Sequence, residues 1–340
     1  MISQKKDKPV SVIMPVYNGV EFMRQSLPPL MTMLQKHEVL EVIVVDDSST
    51  DNSAAFASKV GARVIPSGGR LGPGAARNMA AKVAEGEILW FVDADVVVHA
   101  DSARKLCEGF SDESVVAVFG SYDDQPPAQN FLSQYKNLVH HYYHSKAGTE
   151  ASTFWSGCGG ILREVFLNNN GFDMELFKHP SIEDIELGYR LIDDGGKIYL
   201  APELKCTHLK EWRLWNLLHT EVIRRALPWS RLMLARGSID NALNVSTSER
   251  MRAVIAILFF GSILCFLAGL ISWYVALLLV VMVLISNWTL FRLFYNRRGL
   301  LFSVAALLFH QLYYLYSSGA FVWAFFEQSL HRIRSVIAAS

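Results

Sequence analysis

The chain has 340 residues, 51% of them hydrophobic and 19% charged, with 32 basic and 32 acidic side chains. That balance hides an asymmetry: residues 1–209 carry 19 Lys/Arg and 27 Asp/Glu (net −8), residues 210–252 carry 8 and 4 (net +4), and residues 253–340 carry 5 and 1 (net +4). A net −8 globule excludes nucleic acid as a partner. Cys107, Cys158, Cys206 and Cys265 make no CxxC pair, which argues against a zinc or disulfide frame.

The N-terminal MISQKKDKPV has no apolar stretch, so no cleaved signal peptide is expected. Residues 10–16 (VSVIMPV), 41–46 (EVIVVD), 62–66 and 88–93 (ILWFVD) are short β-branched runs. Helix-like stretches at 20–35, 51–60 and 74–84 separate them. Apolar strands alternating with helices predict a mostly parallel sheet with helices on both faces, an α/β fold. Such a sheet takes its ligand outside the carboxyl ends of its strands. The residues just after the strands are Tyr17 and Asn18, Asp46 and Asp47, and Asp93 and Asp95.

Further along, 115–120 reads as a strand, 131–145 as an aromatic-rich helix, 155–160 (WSGCGG) as a glycine-rich loop, 182–192 as a helix and 197–201 as a last strand. Residues 210–235 mix Trp, Leu and Arg at helical spacing, which predicts amphipathic helices at a membrane interface. Residues 253–291 and 299–326 are runs of 39 and 28 residues without Asp, Glu, Lys or Arg. At ~1.5 Å per residue the first is ~58 Å long, twice a ~30 Å hydrocarbon core, so two crossings are expected there and one in the second. Basic residues beside the first run place the acidic globule on the cytoplasmic side of an inner membrane. His331, Arg332 and Arg334 pull the C-terminus inward, against the parity of three crossings.

Asp93-Ala94-Asp95 closes the most apolar strand. Strand period puts both carboxylates on one face, ~6.5–7 Å apart, where they need a cation or several donors to stay ionised. Oxygen ligands suit Mg²⁺ or Mn²⁺, with a diphosphate completing the shell. In 182–190 (IEDIELGYR), Ile182, Ile185, Tyr189 and Ile192 recur at helical spacing and leave Asp184 free to face the cleft. Glu186 and Arg190, spaced i, i+4, read as a helix-surface pair.

PVYNG (15–19), VVDDSSTD (44–51), GPGAARN (72–78), FVDAD (91–95) and IEDIELGYR (182–190) resemble, in order and spacing, family 2 glycosyltransferases of the GT-A fold. The resemblance covers roughly residues 10–230. It implies an inverting transfer of a sugar from a nucleotide diphosphate donor, UDP-type favoured, with a divalent metal on the diphosphate. By that resemblance Pro15, Tyr17 and Asn18 flank the nucleobase, and Asp47 accepts the uracil imide proton. Asp46 is its helper or a strand-end structural group. Arg77 and Asn78 stand near the donor, Asp93 and Ala94 on its ribose side, and Asp95 on the metal. Asp184, paired with Glu183, resembles the general base that deprotonates an acceptor hydroxyl.

Trp155 reads as a sugar or acceptor platform, or else as core, and Gly159, with Gly157 and Gly160, as allowing close backbone approach to a ligand, or else as a tight turn. His208 in CTHLKEW stands where relatives place a metal or diphosphate histidine. EVIRRALPW (221–229) departs from the QxxRW of processive synthases, leaving Arg224 or Arg225 to contact diphosphate or lipid. Hydrophobic runs suggest a lipid or lipid-linked saccharide acceptor. The rivals are a transferase acting on polyprenyl phosphate and a non-catalytic membrane scaffold.

Overall fold

The computed structural model describes residues 8–146, 150–238 and 243–339, with side chains up to 145 in the first stretch and to 330 in the last. The charges of His331, Arg332 and Arg334 and the first seven residues, on which sequence expectations fell, lie outside that description. The chain divides into two compact units, residues 1–129 with 144–211, and 130–143 with 212–340.

The first unit alternates strand and helix in chain order. These are β1 (Val10–Val16), α1 (Val20–Gln35), β2 (Glu41–Asp46), α2 (Ser53–Lys59), β3 (Arg63–Pro66), α3 (Pro73–Val83) and β4 (Ile88–Val92). Then come β5 (Val96–Val98), α4 (Ser102–Gly109), β6 (Val115–Tyr122), α5 (Phe131–Lys146), β7 (Glu150–Ala151), β8 (Cys158–Leu162), α6 (Arg163–Asn168), α7 (Glu183–Asp193) and β9 (Lys197–His208). Of α5, residues 131–143 belong to the second unit.

The strands order as β3-β2-β1-β4-β8-β6-β9-β5, with β7 on β9. β3, β2, β1 and β4 run parallel, with Val16 opposite Asp46 and Ile13 opposite Phe91. Their carboxyl ends therefore meet at one edge. Both faces of β1 and β4 are buried, which is why they read as unbroken apolar runs.

Three sequence expectations change here. WSGCGG is not one loop: Cys158, Gly159 and Gly160 are the first half of β8, antiparallel to β4. A Cβ on Gly159 would meet the Trp155 carbonyl oxygen at 2.3 Å, and one on Gly160 would meet Leu106 at 2.8 Å. These glycines let the sheet and its covering side chains approach closely, and Gly159 lies within the sheet, between Phe91 and Phe119, rather than in a turn. The last strand is twelve residues long, not five, and carries His208 at its end beside β5, with Val96 opposite His208. The Glu186–Arg190 pair is not a free surface pair. Glu186 is buried, and Arg190 also donates to the carbonyls of Asn169 and Gly171, tying α7 to that turn.

The second unit is helical: α8 (Leu214–His219), a π-helical stretch (Thr220–Ala226), α9 (Leu227–Arg236), α10 (Thr247–Leu267), α11 (Trp273–Ser286) and α12 (Trp288–Ala339), kinked at Gly299. Two of these helices are long and apolar enough to cross a membrane, Thr247–Leu267 and the Trp288–Leu330 part of α12. The 39-residue run supplies one of crossing length. Its remainder, α11, has 14 residues, ~21 Å, short of a ~30 Å core. The α5 residues Tyr135, Leu138 and Tyr142 pack with Leu290, Phe294 and Ala306 of α12. Buried Glu249 accepts hydrogen bonds from Tyr143 (2.9 Å) and Tyr314 (2.6 Å) and pairs with Arg252.

Candidate active site

The edge where β1, β2 and β4 end gathers the acidic residues of the first unit. Past β4 the chain turns through Asp93-Ala94-Asp95. Asp93 N–H donates to Gly157 O at 3.1 Å, and Ser26 Oγ donates to Ala94 O at 2.6 Å. The turn is thus held from the α1 side and from the loop before β8.

Asp93 pairs with Arg77, whose side chain is only 4% exposed. The guanidinium lies 5.6 Å from the centroid of Phe172 and 6.0 Å from that of Phe91. Burial pushes the Asp93 carboxyl up from its ordinary range, Arg77 pulls it back, and the negative charges of Asp95 and Asp184 act with burial. For Asp95, burial also acts upward. The charge and hydrogen bond of His208 and the charge of Lys210 outweigh it and hold the carboxyl below the usual range.

Asp95 Oδ2 and His208 Nε2 stand 3.5 Å apart. Tyr122 stacks on the His208 imidazole at 4.4 Å and 8°, and meets Trp155 edge-on at 4.9 Å. Neighbouring ligands around an octahedral ion with ~2.1 Å bonds are ~3 Å apart, so this pair fits Mg²⁺ or Mn²⁺. Among the described residues no group of three His, Cys, Asp or Glu side chains gathers for a metal. Asp95 and His208 would therefore hold an ion whose other ligands come from substrate and water.

α7 begins at Glu183, and its first turn carries Glu183, Asp184 and Glu186. Glu183 is buried, accepts the Ser181 N–H at 2.7 Å, and has its carboxyl raised by burial and then by Asp184. Asp184 is half-buried. Its Oδ2 accepts Ser156 N–H (3.1 Å) and Oγ–H (3.2 Å), and its Oδ1 accepts Ile185 N–H (2.9 Å). Gly188 lets α7 approach this segment: a Cβ there would lie 2.4 Å from Phe154 N.

Several residues expected at the nucleotide are engaged elsewhere. Asp47, 4% exposed, accepts Leu71 N–H (2.9 Å) on Oδ1 and Gly72 N–H (2.8 Å) on Oδ2, so both oxygens fasten the loop before α3. Asp46 is more exposed and takes Ser49 N–H through long contacts of 3.3 and 3.4 Å. Of the two, Asp46 has the more accessible and less firmly engaged carboxylate.

Asn18 sits at φ 51°, and its Oδ1 accepts Thr50 N–H (2.7 Å) and Asp51 N–H (3.3 Å), joining the loops after β1 and β2. Asn78 clamps Phe172 at both ends, donating to its carbonyl (2.8 Å) and accepting its N–H (2.9 Å). Pro15 is buried within β1, opposite Val45, and presents no open face. Tyr17 is exposed, with the Arg70 guanidinium 4.1 Å from its ring centroid. Arg224 and Arg225 belong to the second unit, on its π-helical stretch, Arg224 half-buried and Arg225 exposed.

Arg70, Ser156, Tyr122 and Lys210 were not foreseen as contributors. For Lys210, its place two residues beyond His208 was a usable signal. Ser156 and Tyr122 carried none, because only tertiary packing brings them in.

Residues 11–168 match the model of Glycosyl transferase family 2. The match stops short of Asp184 and His208. A poly(ribitol-phosphate) beta-glucosyltransferase of Bacillus spizizenii is 35% identical over 102 residues, 27% of this chain and 16% of that protein. Glycosyltransferase GlyG of Streptococcus pneumoniae is 30% identical over 118 residues, 33% of this chain and 38% of that protein. The chain thus spans well under half the length of these relatives. Among solved structures, the mannosyltransferase PcManGT from Pyrobaculum calidifontis, in complex with GDP-Man and Mn²⁺, superposes with a TM-score of 0.60 at 18% identity. That match covers 94% of this chain and 88% of the other, and shows the GT-A fold.

The two neighbouring aspartates after β2 should separate experimentally. Replacing Asp47 by Ala strands two backbone donors and is expected to cost about 2–4 kcal/mol of stability, seen as a lower urea midpoint. Asp46→Ala should leave the midpoint within about 0.5 kcal/mol, as surface changes do, while weakening nucleotide binding measured by calorimetry. Equal stability of the two variants would contradict this division.

Proposed function

We propose that the chain is an inverting, membrane-bound glycosyltransferase. It moves a hexosyl group from a nucleotide diphosphate sugar, UDP-type favoured, to a hydroxyl of a lipid or lipid-linked saccharide. The observation carrying this reading is Asp184: a carboxylate held by three donors beside Asp93, whose charge it perturbs. The family match over 11–168 and the relatives named for sugar transfer support the reaction class.

In this reading Asp46 and Tyr17 meet the base and Asp93 the ribose side. Asp95 and His208 hold Mg²⁺ or Mn²⁺, which supplies charge neutralisation of the leaving diphosphate. Arg77 opposes the upward push of burial on the Asp93 carboxyl and holds it in place. Asp184 takes the proton of the acceptor hydroxyl as the new glycosidic bond forms and the nucleoside diphosphate departs from the opposite side of the anomeric carbon. A phosphate acceptor is already ionised and would give Asp184 no such task. Intact carboxylates at the ends of β2 and β4 and on α7 disfavour a non-catalytic scaffold.

Residues 1–209 are the catalytic part in this reading, 210–252 lie at the interface and 253–340 enter the membrane. Leu214, Trp215 and Ile223 are exposed on the helix that carries Arg213 and Arg224, the composition of an interfacial helix. The catalytic part then faces the cytoplasm at the inner membrane, where nucleotide sugars are available.

Asp184→Asn keeps the size and one accepting oxygen but accepts no proton. Turnover is expected to fall ~10²–10⁴-fold with donor affinity nearly unchanged; near-wild-type turnover would overturn the hydroxyl-acceptor mechanism and favour a polyprenyl phosphate. Chelation should abolish transfer and Mn²⁺ or Mg²⁺ restore it, whereas Asp95→Ala should stay folded and inactive with either ion. Full activity in chelator removes the metal from the reading. The chain should also remain in the membrane pellet after alkaline carbonate washing, and its release would count against α10 and α12 as spans.

A further inference from the structure

We propose that Ser156 is the positioning residue of the Asp184 carboxylate, selecting Oδ1 as the oxygen that receives the acceptor proton. The inference rests on Asp184 being the base. Ser156 is 5% exposed and gives Asp184 Oδ2 two donors, its backbone N–H at 3.1 Å and its hydroxyl at 3.2 Å. A carboxylate oxygen has two lone-pair sites, so Oδ2 is saturated. Oδ1 accepts one N–H, from Ile185 at 2.9 Å, and keeps a site open.

Without the hydroxyl, the carboxyl group is freer to turn about its terminal torsion, which is broad and nearly two-fold for Asp. With it, a turn breaks a hydrogen bond to a charged oxygen. The segment bearing Ser156 is itself fixed. Gly157 O accepts Asp93 N–H at 3.1 Å, and a Cβ on Gly157 would lie 2.6 Å from the Trp155 ring. The same two residues thus tie the base to the Asp93 turn, so the spacing between α7 and the end of β4 passes through 156–157. A serine is suited to this: it donates twice to one oxygen and brings no charge that would compete for the acceptor proton.

Ser156→Ala keeps the backbone donor and loses the hydroxyl. It is expected to lower kcat about ten-fold, the effect of one hydrogen bond to a charged group, with the KM for donor within about two-fold of wild type. Ser156→Thr, which retains a hydroxyl, should recover most of the loss. The decisive arm is a double-mutant cycle. In an Asp184→Asn background, Ser156→Ala should change turnover less than two-fold, because there is no longer a base to orient.

Losses that multiply in the double variant, or wild-type kcat in Ser156→Ala, would overturn the positioning role. So would a Ser156→Thr enzyme as slow as Ser156→Ala with nucleotide affinity intact. Wild-type turnover of Asp184→Asn alone is a different failure: it removes the base assignment first, and the role of Ser156 with it.

Discussion

The site depends on crowding of negative charge at one sheet edge. β1, β2 and β4 are parallel and end together, so Asp46, Asp47, Asp93 and Asp95 converge, and α7 adds Asp184. Two unit charges ~4 Å apart at an effective dielectric constant of ~20 repel by about 4 kcal/mol. The fold relieves this in three ways. Arg77 is buried against Asp93 between two phenylalanine rings; His208 and Lys210 face Asp95; and backbone donors absorb Asp47 and Asp184. The Nε of Arg77 has no partner, a cost accepted where the rest of the guanidinium holds the Asp93 turn.

The main features of this edge were legible because strand ends in a parallel sheet are chemically marked. Short apolar runs stopping at Asp located the edge and the DAD spacing, whereas Asp184 was marked by helical spacing together with the resemblance to family 2 glycosyltransferases, and His208 by that resemblance alone. Asn18, Asn78 and Asp47 were not legible as clamps. A short polar side chain that satisfies backbone donors has the same identity and spacing as one that meets a ligand, and only the contacts made by Leu71, Gly72, Thr50 and Phe172 distinguish them. WSGCGG failed for a related reason. Glycine usually marks turns, yet here it permits close packing against Trp155 and Leu106.

The helical unit shows what counting charge-free residues misses. A run of 39 reads as two crossings, and it does hold two helices, parted where Gly269 at φ 72° ends α10 and Ser272 precedes α11, but α11 has only 14 residues. Gly299, at φ 79°, bends α12. Nor did composition reveal that α5, between two strands of the sheet in sequence, packs its tyrosines with the C-terminal helices. Its partners Leu290, Phe294 and Ala306 lie more than 140 residues away. Long-range pairing of this kind leaves no local period to read.

The first turn of α7 shows how Asp184, the proposed base, is singled out from its neighbours. Three carboxylates occupy it, and all would be favoured there by the helix dipole alone. Glu183 turns inward and is spent on the Ser181 N–H. Glu186 is bound by Arg190, which also holds the carbonyls of Asn169 and Gly171. Both therefore brace α7. Gly188, a turn later, brings the helix against Thr153 and Phe154, the segment that leads to Ser156. Asp184 alone of the three is left at the Asp93 edge, with one oxygen saturated by Ser156 and the other partly open. The helix dipole alone does not account for that arrangement, which suits the proton-accepting role proposed for Asp184, and the contacts of its two neighbours fix the helix that carries it.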